Sequence, residues 1–307
     1  MELQTTTPGG TPLQILWRMF RPHTLTAAFV PVLLGSALAL PYGELQADLF
    51  GAMLAASILI QAATNMFNEY FDFKRGLDHA ASVGISGSIV RDGLKPGTVL
   101  SAALVSMAIA LLLGLYLCTQ TSWWLLPVGL TCALIGYLYS GGPYPISATP
   151  FGEIVSGFTM GTVIIAITFY LQTGTVTTAA ILVSIPTSVL IGAILMSNNI
   201  RDLDDDKEHG RRTLAILLGR QGAVWCLAGM FAFAYLWIIL LVMGSVLPGW
   251  ALLSLASCPK ALEAVRGFRT YTLQKELMPA MVATAKTNTF FGLYLTAGLL
   301  LQSWQGR

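Results

Sequence analysis

Three polar residues at a constant spacing stand out in the second half of this 307-residue chain. Asn198, Asp202 and Asp206 follow a long apolar run, and a step of four residues turns only about 40° around an α-helix. One helix face would therefore present an amide and two carboxylates. Because like charges at this spacing repel each other, the arrangement favours a bound cation.

A second segment, 68–78, repeats this pattern at the end of another apolar run. Asn68 and Asp72 are again four residues apart, and Asp78 follows six residues later. Asp78 can converge with Asp72 only if Gly76 ends the helix, a role that suits glycine. The two acidic motifs, 68–78 and 198–206, end the second and the sixth predicted membrane helices, with three helices between those two, so both should emerge on the same side of the membrane.

Carboxylate and amide oxygens on two facing helix ends suit Mg²⁺, which usually also binds the phosphates of a substrate. Basic residues follow each motif: Lys74, Arg75, Arg91, Lys207, Arg211 and Arg212. The combination predicts a site for Mg²⁺ and a diphosphate. The alternative for either motif alone is a solvated helix end with ordinary loop charges.

The composition places these motifs in a membrane protein. Only 10% of the residues are charged, against about a quarter in a typical soluble domain, and 55% are hydrophobic, with a mean hydropathy of +0.68. The 17 Lys and Arg nearly balance the 15 Asp and Glu. The chain therefore lacks the excess of basic residues that is typical of a nucleic-acid-binding protein.

Nine runs are long and apolar enough for membrane helices of about 20 residues. They are 24–41, 48–70, 98–118, 122–140, 151–172, 178–199, 221–243, 246–265 and 286–304. We therefore expect an all-α integral membrane protein with nine transmembrane helices, forming one domain over residues 1–307. The segment 1–20 precedes the first helix as a polar to amphipathic, cytoplasmic segment.

The charges predict the orientation. With nine spans, every Lys and Arg except Arg307, and every acid except Glu44 and Asp48, lies on the side of the N-terminus. The positive-inside rule then places the N-terminus in the cytoplasm and the C-terminus outside. The start of the chain lacks the features of a signal or transit peptide, which favours a multi-pass protein of a prokaryotic plasma membrane.

The segment 139–145, Tyr-Ser-Gly-Gly-Pro-Tyr-Pro, connects the fourth and fifth predicted spans. Its tyrosines, Tyr139 and Tyr144, could shield a carbocation by cation–π contact. They are equally consistent with an ordinary tight turn at the membrane interface, where aromatic residues are common.

The acidic motifs resemble the two aspartate-rich motifs of the UbiA superfamily of membrane prenyltransferases. Segments 21–25, 139–145, 149–153 and 210–215 resemble the menaquinone branch of that superfamily. The chain departs from the pattern at Glu69, where the superfamily usually has Asp, and in segment 79–90, which is less acidic and less polar than this branch.

The resemblance implies nine helices around a central cavity and a defined reaction. A polyprenyl group would pass from polyprenyl diphosphate to 1,4-dihydroxy-2-naphthoate, with loss of CO₂ and diphosphate, giving demethylmenaquinone. No protein partner is implied. The implied catalytic and Mg²⁺-binding residues are Asp72, Asp78, Asp202 and Asp206, with Asn68 as a further metal ligand. The implied substrate-binding residues are Arg21, Asn68, Lys74, Arg75, Tyr139, Tyr144, Asn198, Asn199, Arg201, Lys207 and Arg211.

Other functions stay open at this point. A relative within the superfamily would use another aromatic acceptor, such as 4-hydroxybenzoate or homogentisate. The phosphatidyltransferases that use CDP-linked alcohols also have acids at membrane helix ends, but their Asp-Gly-x-x-Ala-Arg pattern is absent, because Asp72 precedes Phe73-Lys74-Arg75. A transporter would carry ionisable groups at mid-membrane, whereas these charges lie at one rim.

Overall fold

The computed structural model describes residues 11–22, 24–78 and 87–305, and every regular element in these ranges is helical. The first half of the 1–20 segment, the greater part of segment 79–90 and Arg307 lie outside the described residues. The predicted all-α class is confirmed for the described part of the chain.

Twelve α-helices follow one another in the described part. They are α1 Pro12–Phe20, α2 Thr26–Ala39, α3 Ala47–Lys74, α4 Pro96–Gln120, α5 Leu125–Ser140, α6 Gly152–Gly157, α7 Ile164–Thr173, α8 Thr178–Arg201, α9 Leu203–Glu208, α10 Leu214–Met243, α11 Cys258–Thr270 and α12 Gln274–Gln305. A π-helix, Phe158–Val163, joins α6 to α7, and 3₁₀-helices cover Leu40–Tyr42, Ile146–Ala148 and Gly249–Ser257.

Several of these helices can cross a membrane. Within the described residues, five stretches are long and apolar enough: α3, α4, Gly152–Thr173 (α6 to α7), α8 and α10. Thr26–Tyr42 and α5 are shorter apolar helices. The chain is therefore a multi-pass membrane protein, and the count of nine spans stays a prediction.

The predicted span 246–265 has a different local structure. Residues Gly249–Ser257 form a 3₁₀-helix, and α11 begins at Cys258 with Pro259 in its first turn. Proline lacks an amide hydrogen and is best tolerated at this position of a helix. The segment therefore divides into a 3₁₀-helix and an α-helix that carries Lys260 and Glu263 in its N-terminal half.

The α8 helix lies at the centre of the packing, because it contacts α2, α10, α12 and the π-helix. Hydroxyl groups reinforce its contact with the π-helix. Thr162 Oγ1 lies 2.8 Å from Ser188 Oγ, and Ser184 Oγ donates to Thr162 Oγ1 at 3.0 Å. Hydrogen bonds between small polar side chains satisfy groups that lipid cannot. The α8 helix, whose end carries the second acidic motif, is thus fixed by packing on several sides.

Candidate active site

The first acidic motif lies where α3 ends. The helix stops at Lys74, and Gly76 takes a left-handed conformation with φ 76°. The amide of Leu77 then donates to the carbonyl of Asp72 at 2.9 Å. This reversal brings Asp78 back, so that Asp72 and Asp78 line the same cavity, as the sequence required.

The second motif spans the junction of α8 and α9. The amide of Asp202 donates to the carbonyl of Asn198 at 3.0 Å, and that of Asp206 donates to Asp202 at 2.8 Å. These bonds preserve the four-residue step across the junction. Asn198, Asp202 and Asp206 consequently line one cavity.

Arg211 joins the two motifs. Its Nη2 lies 2.7 Å from Asp72 Oδ1, and its Nη1 lies 3.1 Å from Asp206 Oδ1. All three side chains are largely buried, so this charge-assisted bridge is little screened by water. The ends of α3 and α9 therefore face each other across a single guanidinium group.

Two further arginines pair with the motifs. Arg21 Nη1 donates to Asn68 Oδ1 at 3.3 Å, and Asn68 Nδ2 donates to Asp72 Oδ2 at 2.9 Å. Arg201 Nε donates to Asp202 Oδ1 at 2.6 Å, and its Nη2 contacts the second oxygen of that carboxylate. Asn68 thereby orients Asp72, and Arg201 fixes Asp202 by a bidentate contact.

A cavity of about 340 Å³ begins at these groups and continues between apolar helix faces. It reaches Met53 of α3, Leu117 of α4 and Leu125 of α5. The step from Asp72 to Met53 corresponds to about 28 Å along a helix. Its polar end is lined by Arg21, Asn68, Asp72, Asp78, Tyr139, Asn198, Asn199, Arg201, Asp202, Asp206 and Arg211. The cavity therefore suits a ligand with a charged head and a long apolar tail.

Burial, together with the local charges, changes the pKa of two carboxyl groups outside the membrane-spanning segments. Burial raises the pKa of Asp78 to about 6, with a further increase from the charge of Asp72 that Arg21 opposes. Burial also raises the pKa of Asp206 to about 6, although the Arg211 guanidinium acts in the opposite direction. Both groups would gain from a nearby cation that favours the ionised carboxylate.

The donor groups are compatible with Mg²⁺. Among the described residues, no three His, Cys, Asp or Glu side chains form a ready-made metal cluster. Asp72, Asp202 and Asp206 instead pair with arginines. Mg²⁺ commonly takes only one or two protein carboxylates and completes its shell with water and substrate phosphates. Carboxylates divided between two helix ends fit that kind of coordination.

Four predicted substrate-binding residues lie away from the cavity wall. Lys74 and Lys207 are exposed, and Tyr144 is 89% exposed. Arg75 donates from Nη1 to the carbonyl of Ser140 at 2.7 Å and from Nη2 to that of Gly142 at 3.0 Å. Arg75 thus supports the loop after α5. A substrate contact for these four residues stays a prediction.

Glu69 explains one departure from the superfamily pattern. Its side chain is 1% exposed, and its Oε1 accepts from the amide of Ile89 at 2.9 Å. Ser88 Oγ lies 3.5 Å from its other oxygen. The carboxylate of Glu69 therefore supports the segment before α4.

Sequence reasoning did not select Glu153 as a site residue. It is 4% exposed, and its Oε1 accepts from Asn199 Nδ2 at 2.8 Å. Asn199 itself lines the cavity. The available signal was a lone acid at the start of the apolar run 151–172, since ionisable residues within membrane segments are usually functional.

Comparisons with known proteins agree with this geometry. The description "UbiA prenyltransferase family" matches residues 28–301. The chain is 54% identical over 300 residues to a Bacillus subtilis (strain 168) protein named 1,4-dihydroxy-2-naphthoate octaprenyltransferase. The alignment covers 98% of this chain and 96% of that relative.

Solved structures support the same fold. A UbiA homolog from Aeropyrum pernix K1 superimposes with a TM-score of 0.69 at 17% identity, over 92% of this chain and 98% of that one. A UbiA homolog from Archaeoglobus fulgidus, bound to GPP and Mg²⁺, gives 0.58 at 14% identity, over 92% and 99%. The resemblance seen in the acidic motifs is thus confirmed over most of the chain, which belongs to the UbiA prenyltransferase family.

Proposed function

We propose that this protein transfers a polyprenyl group from polyprenyl diphosphate to 1,4-dihydroxy-2-naphthoate in a Mg²⁺-dependent reaction. Diphosphate and CO₂ leave, and the product is demethylmenaquinone in its reduced form. The observation that carries the proposal is the Arg211 bridge between Asp72 and Asp206 at the polar end of a long apolar cavity. The name of the B. subtilis relative supports this acceptor.

The two ends of the cavity bind different parts of the donor. The isoprenoid tail lies among the apolar faces of α3, α4 and α5, and the diphosphate lies at the acidic and basic rim. Arg21, Arg201 and Arg211 line that rim. Their positive charges stabilise the negative charge that develops on the diphosphate as the allylic C–O bond breaks.

Asp72, Asp78, Asp202 and Asp206, with Asn68, would hold the metal. The homolog from A. fulgidus, which was solved with GPP and Mg²⁺, supports the use of a divalent cation in this family. Bound Mg²⁺ supplies further positive charge at the leaving diphosphate. Asn68 keeps Asp72 directed towards the rim by its 2.9 Å hydrogen bond.

The acceptor ring attacks the allylic carbon from the cavity. The apolar wall keeps water away from this carbon, which would otherwise be hydrolysed. Tyr139 lines the cavity beside the polar end and can stabilise positive charge on the allyl group through its ring. The electron pair of the broken C–O bond leaves with the diphosphate. The electron pair of the bond between the ring and the carboxylate stays in the ring when CO₂ is lost.

We further propose that residues 1–307 form a single transferase domain in the plasma membrane, with the N-terminus in the cytoplasm. The placement of the lysines and arginines supports this orientation. A reporter fused after Arg307 should therefore be found outside the cytoplasm. A cytoplasmic signal would contradict the orientation.

The decisive experiment uses the purified full chain in detergent. It is incubated with polyprenyl diphosphate, Mg²⁺ and, in separate reactions, 1,4-dihydroxy-2-naphthoate, 4-hydroxybenzoate or homogentisate. Mass spectrometry should find a prenylated, decarboxylated product from the naphthoate. Product from another acceptor alone would assign the chain to a different substrate within the family.

Chelation tests the metal in the same assay. EDTA should stop the reaction, and added Mg²⁺ should restore it, because Mg²⁺ neutralises the leaving diphosphate. Undiminished turnover in EDTA would contradict the metal assignment.

A further inference from the structure

The apolar end of the cavity has a floor. Met53 of α3, Leu117 of α4 and Leu125 of α5 line this end and belong to one hydrophobic cluster. Leu49 and Leu171 belong to the same cluster, but they are buried and do not line the cavity. The cavity therefore ends at this cluster, at the end opposite the acidic rim.

One helical turn from this floor, on the side of the polar rim, three helices each have a small residue in the cavity wall. They are Ala56 of α3, Gly114 of α4 and Gly129 of α5. Each lies three or four residues from the floor residue of its own helix, which corresponds to about 5 to 6 Å along the helix axis. We call Ala56, Gly114 and Gly129 the small-residue layer.

The two glycines of this layer face the cavity. The residues three positions before and after each glycine also line the cavity: Leu111 and Leu117 in α4, and Leu126 and Cys132 in α5. Because residues three apart lie on the same side of a helix, each glycine occupies the middle of the face that its helix presents to the cavity. A Cβ atom added to Gly114 or Gly129 would meet no atom of the described residues within 4 Å. The space beside both glycines is therefore part of the cavity.

Close helix packing, the common role of glycine in membrane helices, does not account for this pair. A Cβ atom added to Gly157 or Gly161 would overlap Ser188 of α8, so those two glycines allow neighbouring helices to approach. Gly114 and Gly129 have no such neighbour among the described residues. Their missing side chains enlarge the cavity instead.

The length of the donor tail makes this space important. An extended isoprene unit contains four carbon–carbon bonds of about 1.5 Å and spans about 5 Å in projection. The small-residue layer lies about 24 Å from Asp72 along α3, as measured to Ala56. A geranyl tail of about 10 Å ends well before this layer, whereas an octaprenyl tail of about 40 Å is longer than the whole cavity.

We propose that Gly114 and Gly129 determine how long an isoprenoid tail the donor can carry, an inference that rests on the proposed function. The two glycines leave room for the distal units of a long tail, which turn back above the floor because the tail is longer than the cavity. A larger side chain at either position would occupy that room and raise the floor by about one helical turn, or 5.4 Å. Short donors would still fit, so the glycines select the chain length and leave the chemistry at the rim unchanged.

The test makes two donors of different length compete in one reaction. Full-length Gly114→Leu and Gly129→Leu in detergent receive equal amounts of geranyl and octaprenyl diphosphate, with Mg²⁺ and the acceptor, and mass spectrometry gives the ratio of the two products. Each variant should lower the ratio of octaprenyl to geranyl product at least about tenfold, because the exclusion of even one methylene group from an apolar pocket has an effect of this size. Since both donors compete for the same enzyme, the ratio does not depend on how much of the protein is folded.

Gly229→Leu in α10 is the matched control, because Gly229 is equally open and is not among the residues that line the cavity. It should leave the product ratio at the wild-type value. Gly114→Ala and Gly129→Ala should change the ratio less than the leucine variants, since a methyl group fills less of the space. An unchanged ratio in both leucine variants, whether or not the total rate falls, would overturn the proposal, because the tail would then leave the cavity before this layer.

Donor binding without an acceptor separates this inference from the proposed function. Thermal unfolding is measured with Mg²⁺ and either geranyl or octaprenyl diphosphate, since a ligand that binds the folded protein raises its Tm. The leucine variants should keep the increase in Tm with geranyl diphosphate and lose most of the increase with octaprenyl diphosphate. Wild-type increases with both donors in these variants would overturn the role of the two glycines, even with normal prenyl transfer. A wild type that does not prenylate 1,4-dihydroxy-2-naphthoate would refute the proposed function alone.

Discussion

The two acidic helix ends share a backbone design but differ in charge. At the first end, the amide of Leu77 donates to the carbonyl of Asp72 at 2.9 Å; at the second, the amide of Arg211 donates to that of Asp206 at 3.0 Å. The glycine before each donor, Gly76 or Gly210, has φ 76°. By backbone geometry, Asp72 therefore corresponds to Asp206.

This correspondence differs from the repeat seen in the sequence. The Asn-to-Asp spacing matches Asn68 and Asp72 with Asn198 and Asp202, one helical turn earlier. At the position after the glycine, the first end has Leu77 and the second has Arg211, whose guanidinium reaches Asp72. The two ends therefore have similar turns and both contribute acids, but only the second end contributes the arginine that bridges them.

Removal of the matched acids should have the largest effect. Asp72→Ala and Asp206→Ala should each lower the turnover rate by at least about 100-fold, because both carboxylates belong to the proposed metal and diphosphate site and such electrostatic groups contribute strongly to catalysis. Initial rates with saturating substrates provide the measurement. Asp204→Asn is the control, since Asp204 has a side chain that is 75% exposed and pairs with Arg220.

A lower turnover rate in Asp72→Ala alone would contradict an equivalent role for the two ends. Each variant must elute as a folded protein in detergent for the comparison to count. Near-normal rates in both alanine variants would contradict the metal site itself.

The bridging cation should have the next largest effect. Arg211→Leu gives the second end the side chain of the first and removes two charge-assisted contacts. We expect the KM for polyprenyl diphosphate to rise about tenfold or more, as for the loss of hydrogen bonds to charged groups. Arg211→Lys should recover part of this loss, since it retains the charge but not the planar fork.

Arg212→Leu serves as the neighbouring control, because Arg212 is exposed and its backbone amide, which the substitution retains, bonds to Ala148. A similar KM in Arg211→Leu and Arg212→Leu would show that the bridge seen between the motifs does not contribute to donor binding.

Most of the fold follows from the sequence because the membrane permits few structures. Backbone groups in lipid must be satisfied internally, so long apolar runs form helices. The α3, α4, α8 and α10 helices each cover a predicted span. The 3₁₀-helix Gly249–Ser257 was missed because composition does not reveal which hydrogen-bond pattern packing will select.

The candidate site was predictable in part. Asp72 and Asp202 line the cavity because each lies near the end of a predicted span. The directions of Glu69, Arg75 and Tyr144 were not predictable, since they depend on the turns beyond the helix ends. Glu69 bonds to the amide of Ile89, and Arg75 bonds to the loop after α5; both contacts join residues that are distant in sequence.

The smallest expected effect tests the shared turn itself. Gly76→Ala and Gly210→Ala should each destabilise the protein by about 1 kcal/mol, because a side chain disfavours the left-handed conformation. The added methyl group meets no atom within 4 Å at either position, so backbone strain alone sets the cost. Thermal unfolding in detergent measures it, and Gly97→Ala, in the first turn of α4 and equally open, should show no loss. A clear cost at one glycine and none at the other would mean that the two ends share a hydrogen-bond pattern without sharing its energetics.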